Sequence, residues 1–120
     1  MNNVTAIIGG TGQYGLTLAE KIVKKNKVII TSRSVSKARK KIKFLKQIKI
    51  INLNVLNKKK IENFILKYKP KQIFYFASQS SPAVSFKKPK ETYLSNFIGC
   101  KNFLDIILFH KLKCKFINSS

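Results

Sequence analysis

Residues 9–15 read GGTGQYG, and they join two segments of different character. On the N-terminal side, Val4 to Ile8 is a short apolar run ending in glycines, the pattern of a strand buried on both faces. On the C-terminal side, Leu16, Ala19, Ile22 and Val23 recur at helical spacing, and lysines close the segment. Gly9, Gly12 and Gly15 therefore form G-x-x-G-x-x-G at a strand-to-helix turn, slightly wider than the G-x-G-x-x-G of dinucleotide-binding units. Gly9 can make the tight exit from the strand. Gly12 lets a pyrophosphate approach the backbone, and Gly15 lets the helix pack closely on the sheet. Exposed N–H groups and the positive end of the helix dipole attract phosphate there, and Thr11 and Gln13 can add side-chain contacts. A glycine triplet alone is a weak signal. A triplet with a strand before it and a helix after it points to nucleotide binding.

The same alternation continues outward from the loop. KVIITS (27–32) is a second β-rich run, and Ala38, Ile42 and Leu45 mark a basic helix entered through Ser34 or Ser36. IKIINLNV (48–55) reads as a third strand. Asn57 is placed to cap a helix whose stripe is Ile61, Phe64, Ile65 and Tyr68; Lys58 to Lys60 form its solvated first turn, and Pro70 ends it. QIFYFAS (72–78) is a fourth strand. A loop with Pro82 and Pro89 leads into one long helix carrying Leu94, Phe97, Ile98, Phe103, Leu104, Ile107 and Leu108. KFIN (115–118) is a fifth strand. The order βαβαβαβαβ predicts an α/β, Rossmann-like, doubly wound parallel sheet of five strands with helices on both faces, residues 1–120 forming one domain.

The end of the second strand discriminates between the two nicotinamide cofactors. An acid there binds the ribose 2′-hydroxyl of NAD, whereas a basic residue accommodates the 2′-phosphate of NADP. This chain has TSRS and no acid at that point. Ser32 can donate a hydrogen bond and Arg33 can present a fork to phosphate, so NADP is the expected cofactor. The competing reading is that Arg33 is one surface cation among many.

Composition narrows the function classes. The chain is one domain long, and 44% hydrophobic content is enough for a core, which argues against global disorder. Twenty-five Lys and Arg against four Asp and Glu give a formal charge of +21. Such an excess raises nucleic-acid binding as a class. The lysines are spread along the whole chain, with no Gly/Arg or aromatic-interleaved tract, so nucleic acid is not expected as the main partner. Cys100, Cys114 and the lone His110 lack metal-ligand spacing. The cysteines read as reduced core residues and the histidine as a cap or surface residue. The start MNNVTAIIGG carries no cationic n-region or long apolar h-region. No apolar run approaches the roughly 20 residues of a membrane span, so a soluble cytoplasmic protein is expected.

GGTGQYG, YKPKQIFYFASQSSPAVSF (68–86) and NFIGCKNFLDII (96–107) together resemble the extended short-chain dehydrogenases/reductases that modify nucleotide sugars. Within that group the chain is similar to the GDP-mannose 4,6-dehydratase family, most tellingly in SQSSPAVSF (78–86). The resemblance implies that Gly9, Thr11, Gly12, Gln13, Tyr14, Gly15 and Arg33 hold the cofactor phosphates. It places Asn54 and Val55 near the adenine, Phe76, Ala77, Ser78, Gln79 and Ser80 along the nicotinamide side, and Ser85 toward the sugar nucleotide. Asn96 and Gly99 fall in a helix motif with a structural role. Three features depart from the family pattern. Asn54 stands where an aspartate is usual, Glu91 where dehydratases tend to have a tyrosine, and the segment between the second and third strands is short.

The implied chemistry is an internal redox cycle. Hydride leaves C4 of the hexose, water is lost across C5 and C6, and the hydride returns at C6, giving a 4-keto-6-deoxy sugar. A Ser or Thr, a carboxylate and a Tyr-x-x-x-Lys pair carry this chemistry in the family. The resemblance puts the catalytic hydroxyl just after Ser119 and Ser120, with Ser120 standing in only if the register is off by one, and Tyr14, Tyr68, Tyr75 and Tyr93 are not followed by Lys at the fourth position, so no residue is assigned to catalysis. The expectation is the N-terminal cofactor-binding part of such an enzyme, without its substrate domain and inactive alone. It would act on a nucleotide sugar of the GDP-mannose class and be a homo-oligomer at full length. Two alternatives stand beside it: a sister nucleotide-sugar epimerase or reductase, and a non-enzymatic NADP-sensing Rossmann module. An incomplete doubly wound sheet is also expected to leave its fifth strand as an apolar edge prone to aggregation.

Overall fold

The computed structural model describes residues 3–9, 13–42, 48–76, 90 and 94–118. Strands β1 (Asn3–Ile8), β2 (Asn26–Ser32), β3 (Lys49–Asn52), β4 (Gln72–Tyr75) and β5 (Lys115–Asn118) form one sheet in the order β3-β2-β1-β4-β5. Every pairing is parallel. Helices α1 (Gln13–Ile22), α2 (Val35–Ile42), α3 (Lys58–Tyr68) and α4 (Cys100–Phe109) connect them, and a wide π-helical turn at Leu94–Gly99 leads into α4. The five-strand doubly wound sheet expected from the sequence is present.

Alternation along each strand divides the core in two. Ala6 and Ile8 of β1, Ile29 of β2, and Ile73 and Tyr75 of β4 face a cluster completed by Ile61, Phe64 and Ile65 of α3 and Phe103, Ile106 and Ile107 of α4. Ile7, Val28 and Ile30 face the opposite side, where Ala19 of α1 packs with Leu16, Ile22, Phe74 and Phe76 around them. With both faces covered, the strands read as unbroken apolar runs. Burial of each large side chain contributes about 1.5–3 kcal/mol against the entropy of ordering it.

Local chemistry sets the helix ends. Asn57 caps α3, its side chain accepting from the Lys60 N–H at 3.1 Å. Lys69 closes α3 in the left-handed region (φ 48°), its N–H donating to the Ile65 carbonyl before the buried Pro70. At the end of α4, Leu112 N–H donates to Ile107 and Lys111 N–H to Leu108, the paired bonds of a Schellman motif with Lys111 at φ 53° where glycine is usual. His110 occupies the preceding cap position, in agreement with the cap role read from the sequence.

Three boundaries differ from the sequence reading. The third strand stops at Asn52 because Asn54 starts a turn, its Oδ1 accepting from Leu56 N–H at 2.9 Å. The fourth strand stops at Tyr75, although Phe76 N–H still donates to the Ile8 carbonyl at 2.8 Å; Ala77 and Ser78 lie outside the described residues. The long final helix begins with the π-helical turn, so its apolar stripe is read in two geometries. Among the described residues, no helix is long and apolar enough to cross a membrane.

Candidate cofactor-binding site

In a parallel sheet whose strand order runs outward from β1 in both directions, a crevice opens at the carboxyl ends of the two strands where the direction reverses. Here those strands are β1 and β4, registered as Ile8 opposite Tyr75. Gly9 and Phe76 are the next residues on each. Gly9 leaves the strand at φ 73°, a turn that a side-chain-bearing residue adopts only under strain. Its N–H donates to the Thr31 carbonyl at 3.0 Å and lies 3.4 Å from Thr31 Oγ1, which ties the loop's first residue to β2. Helix α1 starts at Gln13, so its N-terminal N–H groups come four residues after the strand exit. Thr11 and Gly12 lie outside the described residues, as do the side chains of Gln13 and Tyr14. Gly15 is buried at the start of α1, as close helix–sheet packing requires.

At the end of β2, the Ser32 hydroxyl is engaged locally. It accepts from Ser34 N–H at 3.1 Å and lies 3.2 Å from the Ser34 carbonyl, in donor position. Arg33 is exposed, and no described carboxylate pairs with it. The guanidinium is thus the cation presented to solvent directly after the second strand.

The turn after β3 has an exposed and a buried half. Asn54 is exposed, and its carbonyl accepts from Asn57 N–H at 3.0 Å. Val55 is buried against Tyr75, and its carbonyl accepts from the buried Asn102 amide at 2.9 Å. Val55 is therefore nearly closed to solvent. Phe76 is half-buried and stacks on Phe74 with ring centroids 6.2 Å apart. Gly9, Ser32, Arg33, Asn54 and Phe76 all sit along the carboxyl edge of the sheet. Ala77, Ser78, Gln79, Ser80 and Ser85 lie outside the described residues.

The sequence reading rejected Tyr75 as a catalytic tyrosine without giving it another role, and gave none to Asn102. Tyr75 is fully buried, its ring set edge-on to Phe103 at 5.8 Å, and burial holds its phenol well above the ordinary tyrosine range, so it stays protonated. The half-buried thiols of Cys100 and Cys114 are likewise raised by burial, and both are free. Asn102 carried a legible signal. It falls on the helical stripe with Gly99, Phe103, Ile106 and Ile107, where a polar residue must find an internal partner.

A family model described as GDP-mannose 4,6 dehydratase matches residues 6–120. A UDP-glucose 4-epimerase of Mycoplasma genitalium is 32% identical over 105 residues, which are 85% of this chain and 31% of that protein. The structure of UDP-glucose 4-epimerase from Bifidobacterium longum in complex with NAD+ and UDP superposes with a TM-score of 0.84 at 20% identity, over 98% of this chain and 37% of that one. L-threonine dehydrogenase from Clostridium difficile superposes with a TM-score of 0.80 at 30% identity, over 98% of this chain and 36% of that one. The chain thus spans about a third of the length of these proteins. With a strand-order reversal between β1 and β4, a glycine exit and a family match over nearly all its residues, the chain belongs to the GDP-mannose 4,6 dehydratase family, among the nucleotide-sugar epimerases and dehydratases of the extended short-chain dehydrogenases/reductases.

Proposed function

We propose that this chain is the NADP-binding part of a nucleotide-sugar 4,6-dehydratase acting on a GDP-mannose-class substrate. The observation that carries the cofactor reading is Arg33, exposed directly after β2 with no acid at the strand end. The residues present fit the group. The Gly9 exit and the α1 N-terminus would receive the pyrophosphate, Arg33 the 2′-phosphate and the Asn54–Val55 turn the adenine end. A nicotinamide held beyond Phe76 would supply hydride transfer to and from the hexose. The described residues contribute binding and orientation. Tyr75 is too deeply buried to exchange a proton with substrate, and no described residue is assigned to the chemical step.

A sister reading, a UDP-sugar 4-epimerase using NAD, is favoured by the Mycoplasma genitalium relative and by the NAD+ and UDP bound in the Bifidobacterium longum enzyme. Calorimetric titration separates the cofactors. NADP+ is expected to bind more tightly than NAD+, and Arg33→Ala to weaken NADP+ on the order of tenfold to a hundredfold while leaving NAD+ nearly unchanged. Equal affinities in the wild type, or an Arg33→Ala variant with undiminished NADP+ affinity, would sink the 2′-phosphate assignment. Offering GDP-mannose and UDP-glucose to the full-length protein then separates the substrates. A 4-keto-6-deoxy product from the first supports the dehydratase, and a C4 epimer from the second supports the alternative.

A further inference from the structure

Three polar side chains are buried among the described residues: Thr5, Thr31 and Asn102. Thr5 accepts from Gln72 within the sheet, and Thr31 holds the Gly9 N–H. Asn102 is the one of the three that lies on a helix, and it reaches from α4 to the carbonyl of Val55 in the β3–α3 turn. That carbonyl lies beyond the end of β3, and a buried acceptor left unpaired is costly. One helical turn earlier, Gly99 packs so closely on Val55 that an added Cβ would come within 2.7 Å of its Cγ2. Helix α4 and the turn before it thus hold Val55 twice, by its backbone through Asn102 and by its side chain through Gly99. The next residue back, Asn54, is exposed at the carboxyl edge.

We propose that Asn102 is a positioning residue for the adenosine end of the cofactor: it sets the height of the Asn54–Val55 turn above the sheet and so aligns the groups that meet the adenine. The inference rests on the dinucleotide reading given above. It explains why a polar side chain occupies the core-facing stripe of α4, where an apolar residue would pack equally well but leave the Val55 carbonyl unpaired.

The test uses Asn102→Asp, which keeps the shape and replaces the donor by an acceptor facing a carbonyl, and Asn102→Leu, which keeps the size and removes the donor. Each is titrated in the full chain with NADP+, with 2′-phospho-ADP-ribose as a probe of the adenosine end, and with nicotinamide mononucleotide as a probe of the other end. The expected result is a loss on the order of tenfold for NADP+ and for the adenosine-end probe, with nicotinamide mononucleotide unchanged. Amide exchange at Leu56 and Asn57 is expected to quicken in both variants. If one variant fails to fold, the other carries the same comparison. A wild type that binds the adenosine-end probe no better than either folded variant overturns the inference while the cofactor reading stands. An equal loss for both end probes overturns it too, since that is the mark of general destabilisation. A wild type that binds none of the three overturns the cofactor reading and this inference with it.

Discussion

Gly99 shows how one missing side chain can organise a core. Its backbone is helical (φ −59°, ψ −48°), so its value lies in space and owes nothing to conformational freedom. A Cβ built there would collide with the Tyr75 hydroxyl and with Val55 Cγ2. The hydroxyl cannot swing clear, because the Tyr75 ring is fully buried between Phe103 and Phe116 at 5.8 and 5.9 Å. Gly99→Ala is therefore expected to destabilise by about 1–3 kcal/mol, despite alanine's better helix propensity. Urea denaturation checks this, and a variant as stable as the wild type would mean that α4 shifts outward at no cost. Asn54 makes the opposite point. Its Oδ1 accepts from the Leu56 N–H, a bond that an aspartate makes equally well, so the departure from the family's usual acid leaves this turn intact.

At the scale of elements, the pair α3 and α4 carries an unusual share of the chain's few acids. Glu62 of α3 pairs with His110 at 2.8 Å and with Lys59 at 3.3 Å, and Asp105 of α4 with Lys101 at 2.7 Å and with Lys58 at 3.1 Å. The His110 hydrogen bond first, then that of Lys59, holds the Glu62 carboxyl below its ordinary range; Lys101 and then Lys58 do the same for Asp105. A depressed carboxylate stabilises the fold above its unfolded pKa, and that support is lost as pH falls through the folded value. These pairs are partly exposed, so each contributes little. The urea midpoint is expected to fall as pH drops from about 6 to about 3. Glu62→Gln combined with Asp105→Asn is expected to flatten that dependence, and an undiminished slope in the double variant would place the acid sensitivity elsewhere. The elements themselves were legible because each strand is a continuous apolar run and each helix a 3.6-residue stripe, down to the Asn57 cap. What escaped was decided by contacts between distant segments. The partner of Asn102 and the close approach of Gly99 to Tyr75 and Val55 are set across the core, and no local pattern records them, whereas the early end of β3 has a local cause in the Asn54 turn. The site was legible in part for the same reason. Gly9 and Arg33 follow from position along the chain, whereas the engagement of Ser32 with Ser34 and the inward turn of Val55 appear only once the chain is folded.

For the molecule as a whole, a formal charge of +21 competes with the apolar surface left on α4. Leu104 and Leu108 lie one turn apart on the same face, Phe97 two turns before Leu104, and Leu108 and Phe109 are 73% and 78% exposed. The sheet edges are a smaller hazard than the sequence implied. Strands β3 and β5 are each four residues long, Lys49 and Lys115 begin them exposed, and Phe116 and Ile117 are half-buried. Like-charge repulsion keeps copies of the chain apart when counter-ions are scarce. Screening shortens its reach to about 10 Å at 0.1 M salt and to about 3 Å at 1 M, while hydrophobic contact is not weakened. Self-association is therefore expected to rise between about 20 mM and about 500 mM sodium chloride, the reverse of an assembly held by ion pairs. Sedimentation velocity across that range measures it. Leu108→Lys with Phe109→Lys is expected to keep the chain monomeric at the upper limit, because the new charges replace the apolar contact without entering the core. Association that survives in the double variant would assign the contact to a strand edge, and a sedimentation coefficient indifferent to salt would show that the charge is not what holds the copies apart.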